Sequence, residues 1–379
     1  LAMGTAQKDL LKFNQESIRS LRQSTDLDQG DHRRLEELLT SGDLDQKVDE
    51  LLENLFPDAP AASKQQIASV PELVGYFDRF ELLEEIGQGT FSRVFKAMDK
   101  ALGNRLVVLK TGKLACWGEQ GIQEAATSGR LNHKHIIPVH SCMTDELGIT
   151  TICMPYLGRF TLADKLKALD YRFHASNRVS RRPMIHGRAV SQFPVHWKTQ
   201  PEFPVLLSVL GQVCQALEYA HDQCVLHLDL KPSNILIGFC GNALLLDFNL
   251  ARDTLLRKQP SGGTLSYMSP EQLHSCILHE ERELDERSDI YSFGVMLYEV
   301  FYGYRPFDAT GPAMRPKLLA QLVLERQRRA PKLFETKIPE MPKRLLKLIR
   351  RCLRFNRAER YSSMSQIQRE INAMRRRYA

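Results

Sequence analysis

A short polar segment, HLDLKPSN, separates two apolar runs and holds three side chains that could do chemistry together. Asp229, Lys231 and Asn234 follow one another closely within it. Polar groups this crowded are costly to bury unless they serve one another or a ligand. A carboxylate can act as general base toward a hydroxyl, an ammonium can neutralise a transferring phosphoryl group, and an amide oxygen can bind Mg²⁺. The segment therefore indicates phosphoryl transfer.

Three further charged residues stand where they could complete such a site. Lys110 ends the apolar run LVVLK, Glu124 lies on the next predicted helix, and Asp247 ends the apolar run LLLD. A lysine at a strand end is usually a solvated side chain. Here a helix carboxylate could hold the ammonium over phosphates, while Asp247 and Asn234 could supply the hard oxygen ligands that Mg²⁺ accepts.

The stretch IGQGTFSRV, between two predicted strands, could cover a polyphosphate. Gly87 and Gly89 allow the backbone N–H groups to point inward. A glycine-rich hairpin is common, so the signal is weak when it is taken alone. A strand follows the glycines, which excludes the dinucleotide fingerprint, and no G-K-[ST] ends the stretch, which excludes a P-loop.

The elements that would position these residues change in kind along the chain. Apolar residues at helical spacing predict a helical extension over 1–79. From Phe80 to Leu157 we expect an α+β region, with one helix over 118–131 and five strands: FELLEEIG, SRVFKAMDK, RLVVLK, HIIPVHSC and GITTICMPYL. Residues 158–379 are predicted to be mainly helical, with helices at TLADKLKALD, FPVLLSVLGQVCQALEYAHDQ and SDIYSFGVMLYEVFYG.

A basic insert over about 171–200 carries five arginines and Lys198 but no acid. Charge runs of this kind usually face water. Docking to an acidic partner or substrate is the alternative interpretation.

Composition places the chain among ordinary soluble proteins. Its 379 residues are 43% hydrophobic and carry a net charge of +7, which does not argue for nucleic acid. The eight cysteines form no C-x-x-C pair, so we expect reduced, buried thiols in a cytoplasmic compartment. We find no signal peptide and no uninterrupted apolar run of about 18 residues, so no membrane span is predicted within the sequence; a membrane or sensor region could lie outside it.

In their order and spacing, these motifs resemble the eukaryotic-type protein kinase family over about 80–370. The resemblance rests on the glycine-rich loop, the lysine of VVLK, the helix glutamate, HLDLKPSN, DFN and SPE. It implies a bilobal α+β fold, with a small β-rich N-lobe at 80–157 and a larger helical C-lobe at 158–379. KPSN and Thr264 are similar to the serine/threonine branch, and the style of the motifs resembles bacterial members.

The resemblance also implies a role for each candidate residue, with Mg-ATP as phosphoryl donor and a protein hydroxyl as acceptor. Asp229 would be the catalytic base, Lys231 and Lys110 would contact phosphates, and Glu124 would hold Lys110. Asn234 and Asp247 would bind Mg²⁺. The nucleotide would contact Gly87, Gly89, Val94, Val108, Lys110, Met154, Pro155, Leu157 and Leu236. Asp289 and the pair Glu271–Arg360 would be structural supports.

Four positions depart from the family pattern. Leu228 replaces the arginine that normally receives an activation-loop phosphate, so we expect activity without that phosphorylation. Asn249 replaces a glycine and should make its loop flip less freely. Ser92 stands at the third glycine of the loop. Ser128 replaces an apolar residue on the helix of Glu124, and we expect the Glu124–Lys110 pair to form incompletely until a brace such as residues 1–79 supports that helix.

Two other functions remain open at this point. The first is a nucleotide-binding pseudokinase that acts as an interaction scaffold. It is supported by four departures from the family pattern, at Leu228, Asn249, Ser128 and Val108. Phosphorylation of a small molecule is less favoured, because SYMSPEQL resembles a peptide-docking segment. The principal interpretation is an active serine/threonine protein kinase.

Overall fold

The computed structural model describes residues 76–77, 79–89, 92–113, 118–145, 148–167, 184–185, 188–189, 202–248, 252–253, 264–280, 282–307, 316–329 and 341–378. Apart from its last residues, the predicted helical extension over 1–79 lies outside these ranges. Asn249 and most of the basic insert also lie outside them.

The described residues divide between two compact units. The sheet unit takes those within Phe56–Ala163 and Val209–Pro260, and the helical unit takes those within Asp164–Ser208 and Ser261–Ala379. All six of the charged and amide residues singled out above belong to the sheet unit: Lys110, Glu124, Asp229, Lys231, Asn234 and Asp247.

A six-stranded antiparallel sheet and one helix form the first part of the sheet unit. The sheet order is β1-β2-β3-β4-β6-β5. The strands are β1 (Tyr76–Phe77), β2 (Phe80–Gln88), β3 (Ser92–Asp99), β4 (Arg105–Gly112), β5 (Ser141–Thr144) and β6 (Thr150–Pro155), and helix α1 spans Gly118–Gly129. Four of the five predicted strands and the predicted helix are thereby confirmed.

Alternating burial explains why these segments pair as strands. In β3, Phe95, Ala97 and Asp99 are buried while the residues between them are partly exposed, as expected for side chains of period two. One face packs a small core of Phe80, Ala97, Val107, Leu109 and Cys153. The β3–β4 register places Val94 opposite Lys110.

The prediction of a strand at HIIPVHSC (135–142) is wrong for most of its length. Only its last two residues enter a strand, β5. Ile136 instead makes an isolated parallel bridge to Leu245, and the N–H of Ile137 donates to the Leu245 carbonyl at 3.0 Å. Pro138 has no N–H to continue a ladder, so this apolar run is buried against a distant segment instead of forming a sheet strand.

The segments that follow are divided between the two units, because residues 164–208 belong to the helical unit and residues 209–260 belong to the sheet unit. β7 (Gly158–Thr161) is followed by helical residues 162–167, and two short strands within the basic insert, β8 (Met184–Ile185) and β9 (Arg188–Ala189), form a hairpin. Helix α2 spans Glu202–Asp222. The later strands are β10 (Val225–Leu226), β11 (Ile235–Gly238), β12 (Ala243–Leu245) and β13 (Arg252–Asp253).

One helix among the described residues, Phe203–Asp222, is long and apolar enough to cross a membrane by length and composition alone. Buried core helices meet the same criterion, and 56% of its apolar window is buried inside the structure. It is therefore weak evidence for a span.

Five helices form the core of the helical unit. They are α3 (Pro270–Cys276), α4 (Glu286–Tyr302), α5 (Pro316–Arg328), α6 (Lys343–Cys352) and α7 (Met364–Tyr378). Asp285 caps the N-terminus of α4 by accepting a hydrogen bond from the N–H of Arg287, and Gly303 ends it in the left-handed conformation with φ of 76°. A Cβ added at Gly294 would lie 2.6 Å from the Cβ of Cys352, so glycine permits the close packing of α4 on α6.

The predicted pair Glu271–Arg360 is confirmed as a buried ion pair of the helical unit. Two Arg360 nitrogens donate to the Glu271 carboxylate at 2.6 Å and 2.9 Å. The remaining Arg360 hydrogen bonds go to the carbonyls of Arg354, Arg287 and Phe355. Seven cysteines in the described part of the chain are free thiols; four are buried as expected, whereas Cys142, Cys224 and Cys240 are exposed.

Candidate active site

Lys110 is the centre of a buried charge cluster. Its Nζ donates to Glu124 Oε1 at 2.8 Å and Oε2 at 3.2 Å, and to Asp247 Oδ1 at 2.8 Å. The lysine is 4% exposed. The pair with Glu124, which we expected to form incompletely without a brace, is complete in this structure. Residues 1–79, the proposed brace, belong to the chain but lie almost entirely outside the described residues, so the expectation that this pair needs a brace stays a prediction.

The pKa values of the cluster follow from burial and from the shared cation. Burial alone would lower the pKa of Lys110, but the charges of Asp247 and Glu124 outweigh it and raise that pKa. Burial raises the pKa of Glu124, and the Asp247 charge adds to this effect against the pull of Lys110. The pKa of Asp247 is lowered despite burial, because Lys110 is bound to it and Lys231 and His227 lie nearby.

The polar segment after β10 is a second, adjoining group of hydrogen-bonded residues. Lys231 Nζ donates to Asp229 Oδ2 at 2.7 Å. Asn234 Nδ2 donates to the Asp229 carbonyl at 2.9 Å and to Asp229 Oδ2 at 3.3 Å. Pro232 starts a single 3₁₀ turn that ends at Asn234, which brings the three side chains together. The close spacing in the sequence is thus matched by direct contacts.

A short strand pair and a histidine connect the two groups. β11 pairs with β12 from Ile235↔Leu245 to Ile237↔Ala243, so Asn234 and Asp247 lie near the same end of this hairpin. The N–H of Leu246 donates to the Asn234 carbonyl at 2.9 Å, and His227 Nε2 lies 2.9 Å from the Leu246 carbonyl.

Two residues of the site have a left-handed backbone. Leu228 has φ of 62° and Asp247 has φ of 57°. Non-glycine residues adopt this conformation at a cost of about 1–3 kcal/mol each, and they persist where their surroundings hold them. Leu228 is 2% exposed, so burial of its side chain helps to hold the turn before Asp229.

The predicted nucleotide residues lie on the strands around these groups. Gly87 pairs with Val94 across β2 and β3, and the N–H of Gly89 donates to the Ser92 carbonyl at 2.8 Å. A Cβ at Gly87 would approach Val94 no closer than 3.7 Å, so packing within the chain does not require glycine there.

The remaining predicted nucleotide residues lie on β4, β6 and β11 or just after β6. Val108 pairs with Met154 across β4 and β6, and Pro155 ends β6. Leu157 is exposed, and its carbonyl accepts the N–H of Phe239 at 2.9 Å. Leu236 lies in the central strand of the sheet β12-β11-β7.

The residues present are compatible with Mg²⁺. Asp247 is partly exposed, with 33% of its side chain accessible, and only one of its oxygens bonds Lys110. The Asn234 amide nitrogen donates to Asp229, so the amide oxygen is the atom of this side chain that could bind a metal. No group of three His, Cys, Asp or Glu that could hold a metal occurs among the residues the structure describes. A metal here would rely on water and phosphate oxygens as well, as Mg²⁺ usually does.

Sequence reasoning placed Asp247 and Lys110 in one site but did not predict the direct hydrogen bond between them. The two residues are separated by 137 positions, and no local pattern links them. It also missed the role of His227, whose ring packs on Phe248 with centroids 4.8 Å apart while its nitrogens bond backbone groups. The histidine directly before Leu228 and Asp229 was the available signal.

The chain belongs to the protein kinase family. Residues 80–371, more than half of the sequence, match the family described as Protein kinase domain. The β-rich beginning of the match and its helical end agree with the expected α+β protein kinase fold.

Several curated relatives are bacterial. The probable serine/threonine-protein kinase PknB of Corynebacterium glutamicum is 30% identical over 245 residues, covering 62% of this chain and 33% of that protein. The serine/threonine-protein kinase PknD of Chlamydia trachomatis serovar D is 24% identical over 326 residues, covering 77% of this chain and 31% of that protein. A probable serine/threonine-protein kinase of Streptomyces coelicolor, SCO3848, is 29% identical over 286 residues, covering 72% of this chain and 37% of that protein. The chain thus spans about a third of the length of these relatives.

Proposed function

We propose that this protein transfers the γ-phosphoryl group of Mg-ATP to serine or threonine hydroxyls of proteins. The observation that carries the proposal is that Lys110 forms ion pairs with both Glu124 and Asp247. The hydrogen-bonded group of Asp229, Lys231 and Asn234 adjoins these pairs. Family membership and relatives named as serine/threonine-protein kinases support it.

Each side chain has a task in this proposal. Lys110, held by Glu124, binds the α- and β-phosphates, and Asp247 and Asn234 hold Mg²⁺. The bound metal supplies charge neutralisation for the phosphates. Asp229 accepts the proton of the attacking hydroxyl, and Lys231, bonded to Asp229 at 2.7 Å, stabilises charge on the transferring group.

The adenine and the phosphate chain would be enclosed by strand residues. We propose that Gly87 and Gly89 cover the phosphates and that Val94, Val108 and Leu236 enclose the base. Met154, the Pro155 carbonyl and the Leu157 N–H would border it at the end of β6. Proline at position 155 loses only a donor, so its carbonyl can still accept a hydrogen bond.

Phosphoryl transfer itself is the test. The protein is incubated with γ-labelled Mg-ATP and a generic basic protein, in parallel with Asp229→Ala and Asp247→Ala. We expect label on the substrate or on the chain itself, lost in both variants, with phosphoserine or phosphothreonine after hydrolysis.

Two results would oppose the proposal. Absence of transfer by the parent protein, with nucleotide binding retained, would favour a pseudokinase scaffold. That alternative is less favoured because all six residues of the site are present and form two hydrogen-bonded groups of three. Label on a small molecule alone would move the substrate class away from proteins.

We further propose that activity does not require activation-loop phosphorylation. Leu228 is buried and apolar at the position where an arginine would receive the phosphate, so the electrostatic basis for such control is missing. Replacing both Thr254 and Ser261 by alanine should leave turnover within about twofold of the parent. Loss of turnover in this variant, with Thr254→Ala alone as comparison, would refute the idea.

We place this part of the chain in the cytoplasm, where ATP is available and where free thiols persist. The proposed partners are ATP and a protein substrate.

A further inference from the structure

The C-terminal helix pair, α6 with α7, concentrates positive charge. Residues 343–378 contain twelve lysines and arginines but only two acids, whereas the whole chain has a net charge of only +7. Arg357 and Arg360 are paired with carboxylates of neighbouring segments. Most of the other basic side chains are exposed on α6 and α7.

These cations border a groove. A cavity of about 460 Å³ between the two helices is lined by Arg344, Arg369, Asn372, Ala373, Arg375 and Arg376. Both acids of the pair are already used, because Glu370 binds Arg344 at 2.6 Å and Glu359 binds Arg354 at 3.6 Å. Within the described part of the chain, no carboxylate lies at ion-pair distance from Arg369 or Arg376. The groove therefore has a surplus of cations directed at solvent.

The exposed surface of the helix pair is charged without being apolar. The apolar side chains of α6 and α7 are turned inward: Leu345, Leu348, Ile349, Ile367, Ile371 and Met374. Helices that bind membrane interfaces usually expose large apolar residues beside their cations. No large exposed hydrophobic side chain occurs on the described residues of α6 or α7. This favours an acidic polypeptide over a lipid surface.

The same chain contains an acidic segment whose charge is opposite to that of the groove. Residues 26–53, DLDQGDHRRLEELLTSGDLDQKVDELLE, hold ten acids and three bases. The end of this segment enters the predicted helix VDELLENLF (48–56), in which Asp49 and Glu53 are four residues apart and so belong to one predicted helix face. Arg369 and Arg376 lie two turns apart on α7, about 10.5 Å.

We propose that the acidic segment 26–53 docks into the basic groove between α6 and α7 of the same chain. Opposite charges provide the attraction, and the covalent connection makes the docking intramolecular, so that individually weak ion pairs suffice. The docking is independent of the kinase activity proposed above.

Zero-length crosslinking of the full chain tests the proposal. A carbodiimide joins carboxylates to lysine ammoniums only where they touch, and Lys343 and Lys347 are exposed on α6. We expect crosslinks from 26–53 to these two lysines, and none of comparable yield to the exposed Lys134 and Lys165. Raising NaCl from about 0.1 M to about 1 M should suppress them, because the Debye length falls from about 10 Å to about 3 Å.

Charge variants identify the partners. Arg369→Glu with Arg376→Glu should reduce these crosslinks about fivefold to tenfold, as expected for the loss of two exposed ion pairs. Adding Asp49→Arg and Glu53→Arg should restore the crosslinks of the remaining carboxylates. The matched control, Lys134→Glu with Lys167→Glu, should change nothing.

Three outcomes would overturn the proposal. The first is equal crosslinking to control lysines. The second is crosslinking only between ¹⁵N-labelled and unlabelled chains in a mixture, which would make the partner a second copy. The third is absence of the crosslinks together with binding to phosphatidylserine vesicles that the Arg369 and Arg376 changes abolish, which would make the groove a lipid site.

Discussion

Two buried ion pairs, one in each unit, differ in how completely their hydrogen bonds are satisfied. Arg360 donates five hydrogen bonds, to Glu271 and to three carbonyls, and Glu271 also accepts from Ser288 Oγ at 2.9 Å. Lys110 instead serves two carboxylates at once, and Asp247 keeps an oxygen available on a left-handed backbone. We call the Arg360–Glu271 pair the closed pair, because its hydrogen bonds are satisfied within the protein. We call the site around Lys110 the open site, because an Asp247 oxygen remains available to a ligand.

This difference separates structural support from chemistry. A saturated pair has no capacity left for a ligand, so it can only hold the helical unit together. In the sheet unit, one shared cation leaves negative charge in excess beside Asp229, which suits a metal-bound phosphate. Substitutions in the open site should therefore lower turnover, and substitutions in the closed pair should lower stability.

The largest expected effect is on turnover and falls on the open site. Asp229→Asn removes the proposed base while keeping the size of the side chain, so we expect kcat to fall about 10²- to 10⁴-fold. The free energy of unfolding should change by less than about 1 kcal/mol, since no closed network is broken. Initial rates and urea unfolding of the same preparations measure both quantities.

A result with the two effects reversed would break the comparison. If Asp229→Asn unfolded the protein while leaving the rate per folded molecule intact, Asp229 would be a structural residue. Asp222→Asn, a substitution of the same kind at the end of α2, provides the matched control.

The second effect is on stability and falls on the closed pair. Arg360→Met leaves Glu271 buried without its cation, and removing one partner of a buried pair costs about 3–5 kcal/mol. Urea denaturation should show this loss, while kcat per folded molecule stays near the parent value. Arg354→Met is the control, because its contact with Glu359 is exposed. Equal stability of the two variants would mean that the closed pair contributes little.

The smallest effect is on proton affinity within the open site. The pKa of Glu124 should lie above its ordinary value of 4.5 and that of Asp247 below its ordinary value of 3.8. The contribution of Asp247 to stability is thus present above pH 3.8 and lost as pH falls through its lowered pKa, whereas Glu124 opposes folding once it is ionised. Carboxyl ¹³C NMR titration can follow both groups.

Lys110→Met tests whether the shared cation causes these pKa shifts. Removal of the shared cation should raise both carboxyl pKa values, because the lysine favours their charged forms. Lys100→Met, which removes an exposed lysine, should leave both unchanged. Unchanged pKa values in Lys110→Met would show that the cation does not govern the pair.

Local sequence patterns predicted the parts of the site that neighbours in the chain determine. The alternation in β3, the apolar run of β4, the helix of Glu124 and the turn from Asp229 to Asn234 all follow from residues close together in sequence. The pairing of Lys110 with Glu124, only 14 residues apart, was also predicted correctly.

What the sequence could not show depends on distant contacts. The bridge of Ile136 to Leu245 replaced an expected strand, and the bond from Lys110 to Asp247 joins residues 137 positions apart. The left-handed backbone at Leu228 and Asp247 is held by the folded surroundings. Neither residue type favours that conformation enough for a local rule to predict it.

Metal-linked nucleotide binding tests the central claim most directly. Calorimetric titration with a non-hydrolysable ATP analogue, with and without Mg²⁺, compares the parent protein with Asp247→Asn. We predict that Mg²⁺ tightens binding at least about tenfold in the parent, about 1.4 kcal/mol, and that the variant loses this gain. The same Mg²⁺ dependence in both proteins would contradict the assignment of Asp247, and with it the account of the open site.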